Sequence, residues 1–268
     1  MEVWRAGATA RTDFSDAQFR EHAPDGVDKH FWHLARNRLI EATLRRGLHD
    51  AGRILEVGCG RGLVLQHLRA RGLDCWGCEL GEPKIPDPIS PFVFVKQDFR
   101  GLRPAFRRQV RVLLLLDVLE HIPDDIGFLR DLTVSFPKIE SLVLTVPART
   151  ELWSNYDDHY GHFRRYDRPG LAAVLDHAGF SLVSQRYFFH ELYAPMLLAA
   201  QLKGHRQIEV RSPANPGIHR LLATLSVLCY TLLPPSCPGT SLIALAVPHR
   251  RAASDVRDTD DAEGMRRD

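Results

Sequence analysis

Residues 56–62 read Glu-Val-Gly-Cys-Gly-Arg-Gly, a combination that suits close contact between the backbone and a nucleotide-like ligand. The apolar stretch from Arg53 to Val57 predicts a short strand, and a stretch with helical spacing begins at Leu63. Glycine lets the backbone approach a ligand, and the first amides of a helix are donors without intrahelical partners. The residues expected to contact such a ligand are Glu56, Gly58, Cys59, Gly60 and Gly62.

The spacing of the glycines argues against two common kinds of nucleotide site. A dinucleotide-binding turn needs a third glycine where this chain has Leu63. A phosphate-binding loop ends in Gly-Lys followed by Ser or Thr, and this turn has no such ending. A nucleotide-cofactor oxidoreductase therefore stands as an alternative that the spacing disfavours.

Acidic residues follow the next three predicted strands in order along the chain. Glu79 ends the second strand, Asp98 follows the third, and Asp117 follows the fourth, an unbroken apolar run. Because the carboxyl ends of neighbouring parallel strands line one crevice, we expect these carboxylates to converge with the glycine turn. A carboxylate accepts two hydrogen bonds side by side, as a pair of neighbouring hydroxyls requires.

The glycine turn and the ordered strand-end acids resemble those of class I S-adenosylmethionine-dependent methyltransferases. The resemblance covers residues 53–188, about half of the chain, and implies S-adenosyl-L-methionine as the cofactor. It implies a seven-stranded, doubly wound α/β sheet that is mostly parallel, with an antiparallel last strand. A helical insert is predicted before that last strand.

The resemblance also implies a role for each strand-end residue. Glu79 corresponds to the acid that holds both ribose hydroxyls, and Glu56 to the acid that orients the methionine end. Asp98 corresponds to the acceptor for the adenine amino group, with Phe99 as the adjacent contact to the ring. The residues that contact the methionine part at the end of the fourth strand are Asp117 and Val118.

Candidate bases for the acceptor side lie after the fourth and fifth strands. A positioned histidine can remove the proton of a hydroxyl acceptor, and His121 is the leading candidate by position. Its alternative role is to cap or pack against the following helix. His159 and His162 are secondary candidates, in the stretch 153–166 that is dense in histidine, arginine and aromatic residues.

Candidate substrate contacts surround these histidines. The string Gly-His-x-Arg-Arg-Tyr resembles methyltransferases of bacterial lipid, quinone and surface-glycan pathways, and it adds Tyr166 to the candidates. Arg164 and Arg165 could hold an anionic acceptor group, or could pair with nearby aspartates and fix the loop. The helix predicted from His30 to Gly47 resembles a lid, in which Trp32 covers the site or packs the helix on the sheet.

The chain is expected to divide into four parts. These are a lead-in and lid helix (1–48), a cofactor-binding core (49–188), an apolar helical insert with the last strand (189–248) and a disordered tail (249–268). The segment 81–91 holds four prolines, so the second crossover helix is expected to be shortened or lost. The uncharged stretch 221–247 is interrupted by prolines, which favours a helix and a buried strand over a membrane span.

The composition excludes some functions. A net charge of +2, from 35 basic and 33 acidic residues, argues against a nucleic-acid partner. The five cysteines form no disulfide or zinc pattern, and the 13 histidines include no zinc-type helix motif, so we expect reduced thiols, a cytoplasmic location and no metal. The oligomeric state does not follow from the sequence.

The sequence therefore predicts methyl transfer to a small or lipid-linked acceptor, with an oxygen acceptor favoured. Besides the oxidoreductase, the alternative is a scaffold that binds the cofactor without catalysis. The apolar C-terminal residues are interpreted as an acceptor pocket or a membrane-contacting surface, with an extension of the core or a dimer contact as the alternative.

Overall fold

Short apolar runs form the strands of a single seven-stranded sheet. The structure, a computed structural model, describes residues 18, 24–47, 52–202 and 212–249. The fourth strand is almost completely buried, as expected for a central parallel strand covered on both faces. The strands are β1 (Arg53–Val57), β2 (Cys75–Glu79), β3 (Val93–Val95), β4 (Val110–Leu116), β5 (Ser141–Pro147), β6 (Phe180–Phe188) and β7 (Ser241–Pro248).

The strand order is β3-β2-β1-β4-β5-β7-β6. The first five strands pair in parallel, and β7 runs antiparallel to both of its neighbours. The predicted doubly wound, mostly parallel sheet with an antiparallel last strand is therefore confirmed. The chain first adds strands on one side of β1, as β2 and β3, and then adds β4 on its other side. This change of side between β1 and β4 leaves a crevice at the carboxyl ends of these two strands.

Helices cover both faces of the sheet. One apolar core lies between the sheet and α1, α2 and α8, and the other lies between the sheet and α4 and α6. The helices are α1 (Phe31–Gly47), α2 (Leu63–Arg69), α3 (Pro104–Arg107), α4 (Asp125–Ser135), α5 (Asn155–His159), α6 (Arg168–His177), α7 (His190–Gln201) and α8 (Pro216–Leu232).

The proline-rich segment between β2 and β3 replaces the second crossover helix with extended chain and a single 3-10 turn at Ser90–Phe92. Its Ile89 side chain is buried against the glycine turn, where a Cβ on Gly62 would lie 2.6 Å from Ile89 Cδ1. The prediction of a lost helix is confirmed, and the segment closes one side of the turn.

The chain between β6 and β7 forms the helical insert, α7 and α8, as predicted. Prolines 234, 235 and 238 separate α8 from β7. Within the described part of the chain, no helix is both long enough and apolar enough to cross a membrane. All five cysteines are free thiols, as expected. The predicted lead-in before residue 24 and the tail after residue 249 fall outside the described residues, Gln18 excepted.

Candidate active site

Glu79 and the glycine turn form one hydrogen-bonded unit. The Gly60 N–H donates to Glu79 Oε2, and the Gly81 N–H donates to Glu79 Oε1, both at 2.9 Å. These two bonds fix the carboxylate at the end of β2 while each oxygen keeps a further lone pair. The carboxylate is thus preorganised to accept from two adjacent hydroxyls.

Gly58 and Gly60 of the turn both adopt a left-handed backbone conformation, but their surroundings differ. At Gly58 (φ 74°) a Cβ would lie 2.7 Å from Val118 Cγ2, so glycine permits the contact between the turn and the end of β4. At Gly60 (φ 51°) a Cβ would have no neighbour within 4 Å among the described residues. The Gly60 backbone therefore faces open space beside the Glu79 carboxylate. A ligand could approach the backbone closely at this point. Cys59 is buried, and its N–H donates to the Cys78 carbonyl.

Asp98 and Phe99 lie beyond β3, and their surroundings differ. Both Asp98 oxygens accept from Arg100, Oδ1 from the backbone N–H at 2.7 Å and Oδ2 from Nη1 at 3.0 Å. The Phe99 ring is buried and packs edge-on against Phe128. Phe99 thus forms the wall behind Asp98, whereas Asp98 keeps a partly exposed side chain toward solvent.

Asp117 lies where β4 ends, in a left-handed backbone conformation (φ 57°) that costs a non-glycine residue energy. Its Oδ2 is 2.6 Å from Arg36 Nη2 of α1, and its Oδ1 accepts from Thr145 Oγ1 of β5 at 3.1 Å. Arg36 Nη2 also donates to Thr145 Oγ1 at 3.3 Å. Side chains of two elements, α1 and β5, therefore hold the Asp117 carboxylate at the carboxyl edge of the sheet.

Glu56 lies in this same charged region and is buried. Burial raises the pKa of Glu56 to about 8, against the opposing effect of the nearby Arg36 guanidinium. Glu56 Oε2 and Arg36 Nε are both buried and have no hydrogen-bond partner among the residues that the structure describes. A zwitterionic ligand that brings an ammonium and a carboxylate group would satisfy both atoms, so the residues present fit the methionine end of S-adenosylmethionine.

His121 and His162 meet next to this region. Their ring centroids are 4.7 Å apart at an interplanar angle of 82°. His162 Nδ1 lies 2.8 Å from Asp157 Oδ1. Burial opposes ionisation of Asp157, but hydrogen bonds from His162 and Arg165 outweigh it and lower its pKa to about 2. Because an ionised carboxylate only accepts, Nδ1–H must be the donor, and His162 Nε2 is left with the lone pair when the ring is neutral.

The two arginines of the Gly-His-x-Arg-Arg-Tyr string are engaged within the protein. Arg165 is buried, with Nε and Nη2 donating to the two Asp157 oxygens at 2.8 and 2.9 Å. Arg164 pairs with Asp125 and donates to the Pro123 carbonyl. These contacts correspond to the loop-fixing alternative considered for both residues rather than to a free anion site.

Tyr166 is also buried, and its hydroxyl donates to Asp125 Oδ2 at 2.9 Å. Burial and the neighbouring Asp125 charge raise the pKa of Tyr166. The residue forms an isolated parallel bridge with Ala148, which ties the loop to the end of β5. Its position supports a structural role for the side chain that the sequence suggested as a substrate contact.

His159 and Trp32 lie apart from the histidine pair. The His159 side chain is exposed on the short helix α5, and its carbonyl accepts from Gln18 Nε2 at 2.9 Å. Trp32 stacks on Phe189 with centroids 5.7 Å apart, and the Arg36 guanidinium lies 5.0 Å from its ring. Trp32 therefore packs α1 against the chain after β6, and it also flanks the Arg36 side chain.

Three residues of the site were not among the candidates listed from sequence. Arg36 could have been found, because it follows Trp32 by four residues and so lies on the same face of the helix. Asp157 had a weaker signal, as the acid five residues before His162. Glu120 is part of the string that gave His121; its side chain is buried, and its carbonyl accepts from the Phe163 N–H at 2.8 Å.

This fold, with a glycine turn and carboxylates at successive strand ends, defines a class I S-adenosylmethionine-dependent methyltransferase. The chain belongs to the methyltransferase domain family whose model matches residues 31–185. The match sets aside the oxidoreductase interpretation, and S-adenosyl-L-methionine is the cofactor. No curated protein matches the sequence.

Solved structures show the same fold at low sequence identity. A chain of a Haloferax volcanii complex that contains the Trm112 methyltransferase activator is 14% identical, with a TM-score of 0.54; 88% of this chain and 100% of that chain are covered. The 1,6-didemethyltoxoflavin-N1-methyltransferase of Burkholderia thailandensis, solved with S-adenosylhomocysteine, is 16% identical, with a TM-score of 0.51; 88% of this chain and 84% of that chain are covered.

Proposed function

We propose that this methyltransferase transfers its methyl group to an oxygen atom of a small or lipid-linked acceptor. The observation that carries the proposal is the histidine pair, His121 and His162, beside the end of β4. An oxygen acceptor must lose a proton as it becomes methylated, and a positioned imidazole accelerates that step by about 10²–10⁴-fold. The pair supplies two imidazoles close to the residue that we assign to the methionine end, Asp117.

The cofactor, when bound, supplies an electrophilic methyl group on a sulfonium. We assign the ribose to Glu79 and Gly60, the adenine amino group to Asp98, and the methionine end to Asp117 and Glu56. The oriented Nε2 of His162 would take the acceptor hydroxyl proton as the oxygen–carbon bond forms and the carbon–sulfur bond breaks. Asp157 then stabilises the imidazolium through the hydrogen bond with Nδ1.

His121 and His162 are better candidates than His159. His162 is oriented by a buried carboxylate, and its ring meets that of His121. His159 is exposed on the short helix α5. We therefore propose the pair as the acceptor-activating group and assign no catalytic role to His159.

A lipid-linked acceptor is supported by an exposed apolar stripe on α8. Its members recur at helical spacing on one face, whereas Ala223, Ser226 and Tyr230 form the buried face. We propose that this protein is cytoplasmic and contacts a membrane surface or a lipid tail through this apolar stripe. Contiguous exposed apolar surface of this kind marks such contacts. The members of the apolar stripe are Ile218, Leu221, Leu222, Leu225, Leu228 and Leu232.

Cofactor carrying a carbon-13 methyl group tests the reaction. Incubation of the full chain with aqueous and lipid fractions of cell extract should yield a labelled product whose carbon-13 shift is that of an O-methyl group. His162→Asn should slow its formation by about 10²–10⁴-fold, whereas His177→Asn, an exposed histidine of α6, should not. An N-methyl product, or equal rates for both variants, would contradict the proposal.

Vesicle sedimentation tests the membrane contact separately. Leu225→Glu should release protein from vesicles that contain anionic lipid, because it puts a charge in the centre of the apolar stripe. Thr231→Glu is the matched control, since Thr231 is exposed on the same helix outside the apolar stripe. Wild-type protein that stays entirely in the supernatant with every lipid composition would remove the membrane surface from the proposal.

A further inference from the structure

The side chains of Glu120, His121 and His162 come together from two separate segments. Each offers one possible ligand atom, and these atoms all lie within 4.8 Å of one another. Glu120 and His121 lie on the 3-10 turn after β4, and the Phe163 N–H holds the second segment to it through the Glu120 carbonyl. We infer that these three side chains form a binding site for one divalent cation of the zinc or manganese type.

The first support is the way His162 is held. Metal-bound histidines almost always donate their other ring N–H to a carboxylate or carbonyl, which fixes the tautomer and the ring orientation. His162 Nδ1 has such a partner in Asp157, and Asp157 is itself fixed by Arg165 and by the Ser154 N–H at 2.9 Å. Nε2 is thereby presented as the ligand atom.

The second, independent support is Glu120. Its side chain is buried at 1% relative exposure, and Oε2 accepts no hydrogen bond from any residue that the structure describes. A buried oxygen that accepts no hydrogen bond destabilises the folded protein unless a ligand satisfies it. A cation held between this carboxyl group and the two imidazoles would satisfy it.

The charges around the cluster are compatible with a cation. Asp117 lies near Glu120, and the nearby guanidiniums are those of Arg36 and Arg165. Both guanidiniums are already paired, Arg36 with Asp117 and Arg165 with Asp157. Glu120 thus remains as the carboxyl group without a cationic partner of its own in the described part of the chain.

The donor set selects the kind of cation. Two imidazoles and one carboxyl group suit zinc, manganese or iron better than magnesium or calcium, which prefer oxygen ligands throughout. Ligands bind zinc at about 2.0–2.2 Å, so neighbouring ligand atoms lie roughly 3–3.5 Å apart. Ligand atoms that lie as far as 4.8 Å apart would have to approach by roughly 1.3–1.8 Å, which side-chain rotation can supply. Three protein ligands leave a coordination position open, as in catalytic metal sites.

The role of the cation rests on the proposed function, although the site itself does not. A cation at this position would hold the acceptor oxygen and lower the pKa of its hydroxyl, so that the proton leaves more readily to solvent. In the cation-bound protein the two imidazoles act as ligands, and His162 Nε2 acts as a base only when no cation is bound. Activity that is lost on chelation and returns with manganese would support this role.

Calorimetry and manganese electron paramagnetic resonance on the chelator-treated full chain test the site without using activity. Wild type should bind one equivalent of Mn²⁺ or Zn²⁺. Glu120→Gln and His162→Asn should each weaken binding by at least tenfold, while the exposed neighbour His159→Asn should leave the affinity unchanged. S-adenosylmethionine binding by each variant serves as the check that it is folded.

The outcomes separate the two proposals. No stoichiometric binding by wild type, or binding that both ligand variants retain in full, would overturn the cation site. Cation binding that depends on Glu120 and His162, in a protein that yields no O-methyl product, would keep the site and overturn the proposed function.

Discussion

Arg36 of α1 and Asp117 at the end of β4 form an ion pair with Nη2 2.6 Å from Oδ2. Arg36 is almost fully buried and also acts on Glu56, so one guanidinium serves carboxyl groups at the ends of two neighbouring strands. Through this contact α1 is held over the carboxyl edge of the sheet, where we propose that the cofactor binds.

Replacing Arg36 should therefore affect both stability and cofactor binding. Arg36→Met removes the charged hydrogen-bond donor of Asp117, and we expect the free energy of unfolding to fall by about 1.5–3 kcal/mol. Affinity for S-adenosylmethionine should fall as well, because Asp117 loses its fixed position. Urea unfolding and calorimetry measure the two effects. Arg45→Met is the control, since Arg45 pairs with Glu41 on the exposed face of the same helix, and such pairs contribute about 0.3–0.5 kcal/mol.

Glu79→Gln should weaken cofactor binding by about tenfold or more while leaving the fold intact. The amide keeps the shape of the carboxylate but has only one acceptor oxygen for the Gly60 and Gly81 donors and the ribose hydroxyls. Calorimetric titration with S-adenosylmethionine measures the change. Glu82→Gln, three residues later and paired with Lys96 at the surface, should bind like wild type. Equal affinities for the two variants would refute the assignment of Glu79.

The sequence predicted the sheet because most strands are short apolar runs with a turn signal at the end. The strand predicted from Arg53 to Val57 matches β1 at both ends, and α1 begins one residue later than the helix predicted from His30 to Gly47. The short helices α3 and α5 were missed, since four or five residues carry too little periodicity. The Asn155–His159 helix begins at a capping box formed by Ser154 and Asp157. The spacing of these two residues does not predict a helix by itself, because no apolar periodic stretch follows it.

The site was less predictable than the fold. The glycine turn and Glu79 could be located because both lie at strand ends, and strand ends converge by topology alone. The burial of Arg165 and Tyr166 could not be deduced in this way. Each depends on a partner chosen by how the loop after β5 folds back, Asp157 for the first and Asp125 for the second.

Asp157→Asn should be among the most destabilising single changes in the acceptor loop. It leaves the buried Arg165 guanidinium without a counter-charge, and breaking a buried pair in this way costs about 3–5 kcal/mol. Urea unfolding at neutral pH measures the loss. Asp158→Asn is the control, because Asp158 is exposed and accepts from Trp153 Nε1 at the surface. A loss below about 1 kcal/mol would show that Arg165 finds another partner.

Glu56 should make the cofactor-free protein less stable as the pH rises. Its pKa in the folded protein is about 8 against an ordinary value of 4.5. Between these values the folded state keeps a proton that the unfolded state has lost, so stability falls by up to about 1.4 kcal/mol per pH unit, and above pH 8 this contribution levels off. Glu56→Gln removes this titration. We therefore expect the variant to gain stability relative to wild type from pH 5 to pH 8 in urea unfolding. Glu140→Gln, an exposed partner of Arg111, should show no such pH-dependent gain. If the curves for Glu56→Gln and wild type run parallel from pH 5 to pH 9, Glu56 is ionised in the folded protein, and the charge balance assigned to this region is wrong.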